Sequence, residues 1–398
     1  MSDSPLSRRG FVRTAAFTGA ALMGAPAILE RRYRLFAWSN TEYSERAIRL
    51  VKESTVIDML CILTLDFEKQ GRWFARPDSY PDAEFEKWRA SGLTAMHPAV
   101  GMGGPNVHYE TLAFLAGWNG FIASRSEFIR VDSVDDFDKA KRAGQVGVIL
   151  GLQNSEHFRT PNDVALFHGL GQRVSQLTYN ARNLIGNGST ERRDEGISDF
   201  GVAIISKMNE VGMAVDVSHC GDRTSFEAFE ISKKPVLITH SNVRSLAGGH
   251  PRCKPDDVIQ QVKKYASVMG ITGVRMFVKA AEPTTIEDFL NHIDHVVKLT
   301  GPEHVGIGSD IDLDGYDDMP PEQNRRLRAG YKSSYAFRDR IDIEGIDHPK
   351  RTYDVAEGLI RRKYSDEQIR GILGGNFKRV LGEIWNVPAP APRPSGGA

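Results

Sequence analysis

Two histidines each end an apolar run of the kind that forms a buried strand. Residues 213–219 read MAVDVSH and residues 235–240 read PVLITH. Apolar, β-branched runs of this type are typical of parallel strands, and their last residues lie at the carboxyl-end rim, where barrel enzymes keep their chemistry. Neutral imidazoles are good zinc ligands. The spacing therefore predicts that His219 and His240 lie close together in a metal site.

Two further polar side chains occupy comparable places along the chain. Arg252 ends the turn-like stretch HPR, residues 250–252, and Asp310 ends the strand-like run VGIGSD, residues 305–310. The carboxyl ends of parallel barrel strands meet at one rim. We therefore expect Arg252 and Asp310 at the same site as the two histidines.

Strand-like and helix-like segments alternate throughout the chain, which predicts parallel βα units. Eight such units favour a closed (β/α)8 barrel of the TIM type over an open doubly wound sheet. No G-x-G-x-x-G follows the first strand, so the dinucleotide-binding fingerprint is missing. The predicted strands are residues 55–60, 93–96, 146–152, 173–179, 213–219, 236–240, 267–272 and 305–310.

The two ends of the chain differ in composition from the predicted barrel at residues 30–385. Arg8 and Arg9 precede a weakly apolar stretch that contains the cleavage-like triplet Ala25-Pro26-Ala27. This pattern predicts a twin-arginine export signal over residues 1–29, and hence a periplasmic or otherwise exported protein. The proline-rich residues 386–398 lack the apolar content needed to pack and are expected to be disordered. The mature chain is expected to have no membrane span.

Charge and cysteine content exclude several classes of function. The chain has 51 basic and 51 acidic residues, so no net field attracts nucleic acid. Its three cysteines are too few for a disulfide framework. They lie near one predicted rim, where chance clustering is the simpler explanation, and a Cys220–Cys253 bridge or a metal site with Cys61 is the alternative.

A late segment, residues 317–350, is rich in charge and interrupts the βα alternation. It contains three aromatic residues, Tyr331, Tyr335 and Phe337. Residues 353–385 supply the closing helices. We therefore expect residues 317–350 to pass over the mouth of the barrel.

Five sequence blocks in collinear order resemble the membrane (renal-type) dipeptidase family of the amidohydrolase superfamily. They are VGMAVDVSH at 211–219, THSN at 239–242, HPR at 250–252, GIGSD at 306–310 and GGNF at 374–377. The resemblance implies a barrel with two zinc ions that hydrolyses a dipeptide with a free carboxylate, commonly as a homodimer. It implies His219 and His240 as ligands of one zinc, Arg252 as the carboxylate clamp, and Asp310 as the group that orients or deprotonates water.

The chain departs from the family pattern at the ligands of the other zinc. Leu60 and Ile62 stand where the family's first strand has G-H-x-D, and Gln153 aligns with the bridging glutamate. None of these side chains offers a charged or imidazole ligand to the ion. Tyr179 aligns with a further family histidine that polarises the scissile carbonyl, and its phenol could still donate a hydrogen bond.

Three hypotheses stay open. The first is a hydrolase with one Zn²⁺ held by His219, His240 and one further ligand such as Asp310. The second is a repurposed maturation enzyme, metal-free or differently metallated, that acts on a peptide-like or siderophore-like precursor. The third is a non-catalytic barrel that binds a carboxylate ligand through Arg252.

Overall fold

The computed structural model describes residues 32–33 and 42–387. The predicted export signal, residues 1–29, lies outside the described residues, as does all but the first two residues of the predicted tail at 386–398. No helix in the described part of the chain is both long and apolar enough to cross a membrane.

Twelve short strands are described, and all but the first two pair in parallel. The strands are β1 (Arg32–Tyr33), β2 (Tyr43–Ser44), β3 (Ile57–Asp58), β4 (Ala95–Met96), β5 (Phe128–Arg130), β6 (Val146–Val148), β7 (Gly151–Leu152), β8 (Val174–Gln176), β9 (Ala214–Asp216), β10 (Ile238–Ser241), β11 (Met269–Ile271) and β12 (Val305–Ile307).

The parallel strands close on themselves. β12 pairs with β3 through Ile307 and Asp58, and the series continues from β3 through β4 to β6. β7, β8 and β9 form the next stretch, and a bridge between Asp216 and Leu237 joins β9 to the start of β10. From β10 the sheet returns through β11 to β12. The predicted (β/α)8 barrel is confirmed.

Helices follow most of the strands and cover the outside of the barrel. The helix Asp199–Val211 illustrates the local signals: Ser198 caps its start by accepting from the Gly201 amide at 3.0 Å, and Gly212, at φ 80°, ends it in the left-handed conformation. The helices are Glu45–Glu53, Phe67–Ala75, Asp82–Ser91, Val107–Ser124, Asp135–Ala143, Pro161–Gly169, Asp199–Val211, Asp222–Ile231, Asp256–Lys264, Arg275–Val278, Ile286–Thr300, Pro321–Ala329, Arg351–Arg361, Asp366–Arg370 and Asn376–Trp385.

The strands are shorter than the apolar runs predict. The run at residues 146–152 is split into β6 and β7, and β5 pairs with β6 as an additional strand that the sequence analysis did not predict. The apolar residues beyond each short ladder are buried all the same, as Val217 and Ile149 show. An apolar run therefore indicates which residues are buried, whereas the hydrogen-bonded strand pairing ends earlier, where the backbone turns toward the rim.

Candidate functional site

His219 and His240 lie side by side beneath the barrel rim. The two Nε2 atoms are 3.1 Å apart, and both side chains are almost fully buried. His219 Nδ1 is 2.8 Å from Asn180 Oδ1, and His240 Nδ1 is 2.8 Å from Thr239 Oγ1. The structure therefore brings the predicted pair together.

The neighbours of the pair determine where its protons lie. The Thr239 hydroxyl donates to Asp216 Oδ2 at 2.7 Å, so its oxygen is left to accept from His240 Nδ1. Asn180 Oδ1 likewise accepts from His219 Nδ1. Both Nε2 atoms then present lone pairs to each other. Burial, together with the charge of Arg252, holds the pKa of each imidazole well below its usual range, so a proton between them is disfavoured.

Two converging imidazole lone pairs fit two ligand positions of a single metal ion. Tetrahedral zinc with Zn–N bonds of 2.0–2.1 Å separates two ligand nitrogens by about 3.4 Å, close to the spacing found here. No group of three or more His, Cys, Asp or Glu side chains converges on a metal position within residues 42–387. The donor set thus suits one ion with two protein ligands, whereas a catalytic zinc usually has three.

The positions at which the family resemblance implies a second ion do not fit a metal. Leu60 and Ile62 line an adjoining cavity with hydrocarbon side chains, and Gln153 lines it with a neutral amide. The Gln153 amide nitrogen donates to Ala99 O at 2.9 Å. A second dication here would have no charged protein ligand from these three residues.

The adjoining cavity has a volume of about 430 Å³, which is in the range of small-molecule sites. Its walls come from the first βα loops on one side and from residues 316–341 on the other. The predicted passage of residues 317–350 over the mouth is confirmed, since Tyr331, Tyr335 and Phe337 line this cavity. His219, His240 and Arg252 do not line it.

Asp310 is the one carboxylic acid among the described residues that line the cavity. Its backbone has φ 65°, a left-handed conformation that an aspartate tolerates better than most residues. The Asp310 amide donates to Leu60 O at 2.7 Å, which fixes this conformation. Burial raises the pKa of the Asp310 carboxyl to about 7; Arg252 opposes the shift and the charge of Asp58 adds to it. Asp310 can therefore exchange a proton near neutral pH.

Tyr179 separates the histidine pair from the cavity. Its ring stacks on the His219 ring with centroids 4.2 Å apart, and its hydroxyl is 2.5 Å from the Tyr331 hydroxyl. Burial, followed by the neighbouring Tyr331, raises the pKa of Tyr179 well above its usual range, so the phenol stays protonated. Only one proton is needed between the two hydroxyls, which leaves the other available to a substrate oxygen.

Arg252 lies behind the cavity wall. One Nη atom donates to Ser218 O at 2.5 Å and to Ser241 Oγ at 3.2 Å, and the other donates to His240 O at 2.7 Å. The side chain is fully buried. Its geometry ties the ends of the two histidine strands together, while its role as a carboxylate clamp stays a prediction.

All three cysteines are free and buried, so the Cys220–Cys253 bridge considered above is wrong. Thr178 Oγ1 lies 3.2 Å from Cys220 Sγ, and Cys253 Sγ lies 3.4 Å from Phe277 O. Cys61 Sγ is 3.0 Å from a guanidinium nitrogen of Arg351. The Arg351 guanidinium therefore lies where a metal ion bound to Cys61 would have to lie, and two cations cannot share that place.

Sequence reasoning missed the polar groups that support the site from behind. Asp58 Oδ1 accepts from the Ser309 amide at 2.8 Å and its Oδ2 accepts from Arg351 at 3.1 Å, so a buried ion pair holds the strand end that carries Asp310. Asp58 could have been predicted, because it directly precedes the altered first-strand motif. Arg351 could not, because it lies in a helix far along the chain and no local pattern links it to the site.

Comparison with known proteins identifies the family to which the chain belongs. The family model for membrane dipeptidase, peptidase family M19, matches residues 44–326. Dipeptidase verJ from Clonostachys rogersoniana is 30% identical over 62% of this chain and 57% of its own length. The chain thus spans a little over half the length of this curated relative.

Solved structures agree on the fold. An amidohydrolase from Pseudomonas aeruginosa is 30% identical, with a TM-score of 0.72 over 85% of this chain and 99% of that one. A metallo peptidase from Rhodobacter sphaeroides, solved with a phosphinate mimic of the dipeptide L-Ala-D-Ala, is 17% identical, with a TM-score of 0.66 over 83% of this chain and 99% of that one. At 17% identity, the similarity to the metallo peptidase supports the fold alone.

Proposed function

The chain belongs to the membrane dipeptidase family, peptidase family M19, and from this premise we propose that it hydrolyses a small peptide-like amide bound in the 430 Å³ cavity. The observation that carries the proposal is the position of Asp310, whose backbone amide donates to Leu60 O and whose carboxyl lies at the wall of a cavity with no other acidic residue in its lining. Asp310 accepts the proton of the attacking water. A carboxyl whose pKa is near the working pH is well suited to this step.

Tyr179 and Tyr331 supply the complementary group. Their shared hydrogen bond leaves one hydroxyl proton to donate to the carbonyl oxygen as negative charge develops there. The apolar walls exclude water and strengthen this contact. When bound at His219 and His240, a single Zn²⁺ supplies Lewis-acid activation of water.

Hydrolysis of a panel of hydrophobic dipeptides and dipeptide amides by the purified chain tests the proposal directly. Release of free amine that is lost in Asp310→Asn supports it. A native enzyme that releases no amine from any member of the panel contradicts it.

Tyr179→Phe tests the hydroxyl pair. The substitution keeps the ring that stacks on His219 but removes one hydroxyl, so kcat should fall about tenfold while KM changes little, because Tyr331 can still donate. Steady-state kinetics measure the effect. Tyr80→Phe is the control, since the Tyr80 hydroxyl is buried away from the cavity. Equal losses in the two variants would contradict a role for the hydroxyl pair.

Metal content tests the histidine pair. The protein is first loaded with zinc, and unbound metal is then removed by dialysis. We expect at most one zinc per chain to stay bound, because only two converging imidazoles are present in the described residues. His219→Ala should reduce the bound zinc to about zero. Elemental analysis of the folded protein gives the ratio, and two zincs per chain would contradict this part of the proposal.

A metal-independent, repurposed enzyme is the second candidate. It is favoured by Leu60 and Ile62, whose hydrocarbon side chains replace metal ligands and line the cavity. Activity that survives complete removal of zinc by a chelator would select it over the single-zinc hydrolase. Export by the twin-arginine route, based on Arg8 and Arg9, is also part of the proposal for either candidate.

A further inference from the structure

A second cleft adjoins the cavity on the other side of the tyrosine pair. It has a volume of about 420 Å³ and lies between residues 327–335 and the loop at residues 179–190. Six residues line both compartments: Gly101, Met102, Tyr179, Leu327, Tyr331 and Tyr335. The hydrogen bond between the Tyr179 and Tyr331 hydroxyls therefore marks the boundary between the cavity and the cleft.

The two compartments differ in the charges that they present. Among the described residues, the cavity lining has Asp310 and no lysine, arginine or histidine, and most of it is apolar. The cleft is lined by two cations, Arg182 and Lys332, and by the carboxylate of Glu156. A molecule that reaches both compartments therefore meets apolar walls at one end and charged groups at the other.

We propose that the cleft binds an acidic group of the substrate. The preferred amide then has an apolar group on one side of the scissile bond and an acidic side chain on the other. The inference rests on the proposed hydrolysis, which puts the reacting carbonyl at the hydroxyls of Tyr179 and Tyr331. Because these hydroxyls lie where the compartments meet, a substrate held there extends into both. The acidic group is additional to a terminal carboxylate, for which Arg252 stays the predicted clamp.

Arg182 is placed to bind such an acidic group. Its backbone amide donates to Glu191 Oε1 at 3.2 Å, which holds the residue in the loop beside the cleft. Its guanidinium forms no ion pair or hydrogen bond with another described residue, and the residue is exposed. A guanidinium binds a carboxylate through two parallel hydrogen bonds, and such charge-assisted pairs are stronger than neutral ones.

The other two charged residues of the cleft already have partners. Lys332 Nζ is 3.3 Å from Glu191 Oε1. Glu156 accepts from the Gly104 amide at 3.2 Å and forms no ion pair with either cation of the cleft. Among the described lining residues, Arg182 is therefore the cation that is available to an anionic group of a ligand.

The test uses two pairs of dipeptides that differ only in the charge of one side chain. L-Phe-L-Asp is compared with L-Phe-L-Asn, and L-Asp-L-Phe with L-Asn-L-Phe. All four probes have the same free termini, so a clamp on the terminal carboxylate acts equally on both members of a pair. Binding is measured at pH 8 by calorimetric titration of the Asp310→Asn chain, in which turnover is slowed.

We expect the acidic member of one pair to bind at least tenfold more tightly than its neutral partner. Which pair shows the preference gives the direction in which the substrate lies across the tyrosine hydroxyls. Equal or weaker binding of the acidic member in both pairs overturns the proposal, as does no binding of any probe at 10 mM.

Two arginines of the same loop provide a matched pair of variants, each made in the Asp310→Asn chain. Arg182→Gln should reduce the preference for the acidic probe to within about twofold. Arg193→Gln should keep the preference, because Arg193 is exposed on this loop but does not line the cleft. If both variants lose the preference equally, the charge of the loop as a whole is the cause and the proposal falls.

Hydrolysis of the same probes by the native chain separates this proposal from the proposed function. A preference for the acidic probe in binding, without hydrolysis of any probe, would contradict the proposed function and still support the cleft as a site for an acidic group. Hydrolysis without a binding preference in either pair would overturn the role of the cleft and leave the proposed function supported.

Discussion

Asp310→Asn should reduce kcat/KM by a factor of about 10³ while making the folded protein more stable. The loss of activity follows from removing the proton acceptor, an effect of about 10²–10⁴ for a general base. Asparagine keeps the size of the side chain, and its backbone tolerates the φ of 65° found at this position. Steady-state hydrolysis of a dipeptide amide measures the loss.

The pH dependence of the native enzyme should report the same group. Because the ionised carboxylate is the base, kcat/KM should rise with pH and reach half of its plateau near pH 7, the pKa to which burial raises Asp310. Asp310→Asn should lack this rise. A native profile that is flat between pH 5 and 9 would contradict the assignment.

A salt-bridged carboxylate stabilises a folded protein more as the pH rises, whereas the buried Asp310 carboxyl should stabilise it less. The folded-state pKa of about 7 lies above the unfolded value of about 3.9, so the native protein loses stability as the pH rises from about 4 to about 7. Asparagine carries no such penalty. Asp310→Asn should therefore match the native free energy of unfolding at pH 4 and exceed it by about 2–4 kcal/mol at pH 8.

Asp342→Asn is the matched control. Burial raises the pKa of Asp342 to about 6, but this carboxylate accepts from the Tyr316 and Asp317 amides and does not line the cavity. Its substitution should leave kcat/KM within about twofold of the native value. Denaturant titrations at pH 4 and pH 8, run on both variants, separate the effect of burial from the catalytic role.

Arg351→Met should destabilise the fold by about 3–5 kcal/mol. The guanidinium donates to Asp58 Oδ2 at 3.1 Å and to Asp312 O at 2.5 Å, and Arg351 and Asp58 are both buried. Removing one partner leaves an uncompensated charge in the interior, which is the costly case for a buried ion pair. Denaturant unfolding of the variant measures the loss.

The double variant Asp58→Asn with Arg351→Met should recover part of that loss, because no charge is then left unpaired. Arg370→Met is the surface control. Arg370 meets Glu53 at 2.7 Å where both side chains are exposed, so its removal should cost no more than about 1 kcal/mol. If the two arginine substitutions cost the same, the buried pair has no special importance for the barrel.

The two histidines could be placed from local sequence because a strand buried on both faces shows itself as an apolar run. That run ends where the chain leaves the barrel, so His219 and His240 were expected at one rim, and the structure places their Nε2 atoms 3.1 Å apart. Tyr179 was anticipated as a hydrogen-bond donor, but its partner Tyr331 lies 152 positions away. No periodicity in the sequence indicates such a pairing.

Arg252 shows what residue type leaves open. A guanidinium near a rim suggests a carboxylate clamp, yet which donors face the cavity depends on the path of the neighbouring carbonyls. In the fold, Ser218 O and His240 O accept from the two Nη atoms of Arg252, whereas its buried Nε has no hydrogen-bond partner among the described residues. Backbone carbonyls exist at every position, so their direction cannot be read from composition or spacing.

By itself, the sequence determined the alternation of strands and helices and the barrel, and the family resemblance implied that Leu60, Ile62 and Gln153 replace metal ligands. The alternation and the barrel depend on side-chain type and short-range periodicity, which are local properties of the chain. Only the tertiary structure decided the rest: the cavity under residues 317–350, the burial that moves the Asp310 pKa, and the pairing of Asp58 with Arg351 across 293 positions. Desolvation and charge pairing depend on what surrounds a group in space, and that environment exists only after distant segments have packed together.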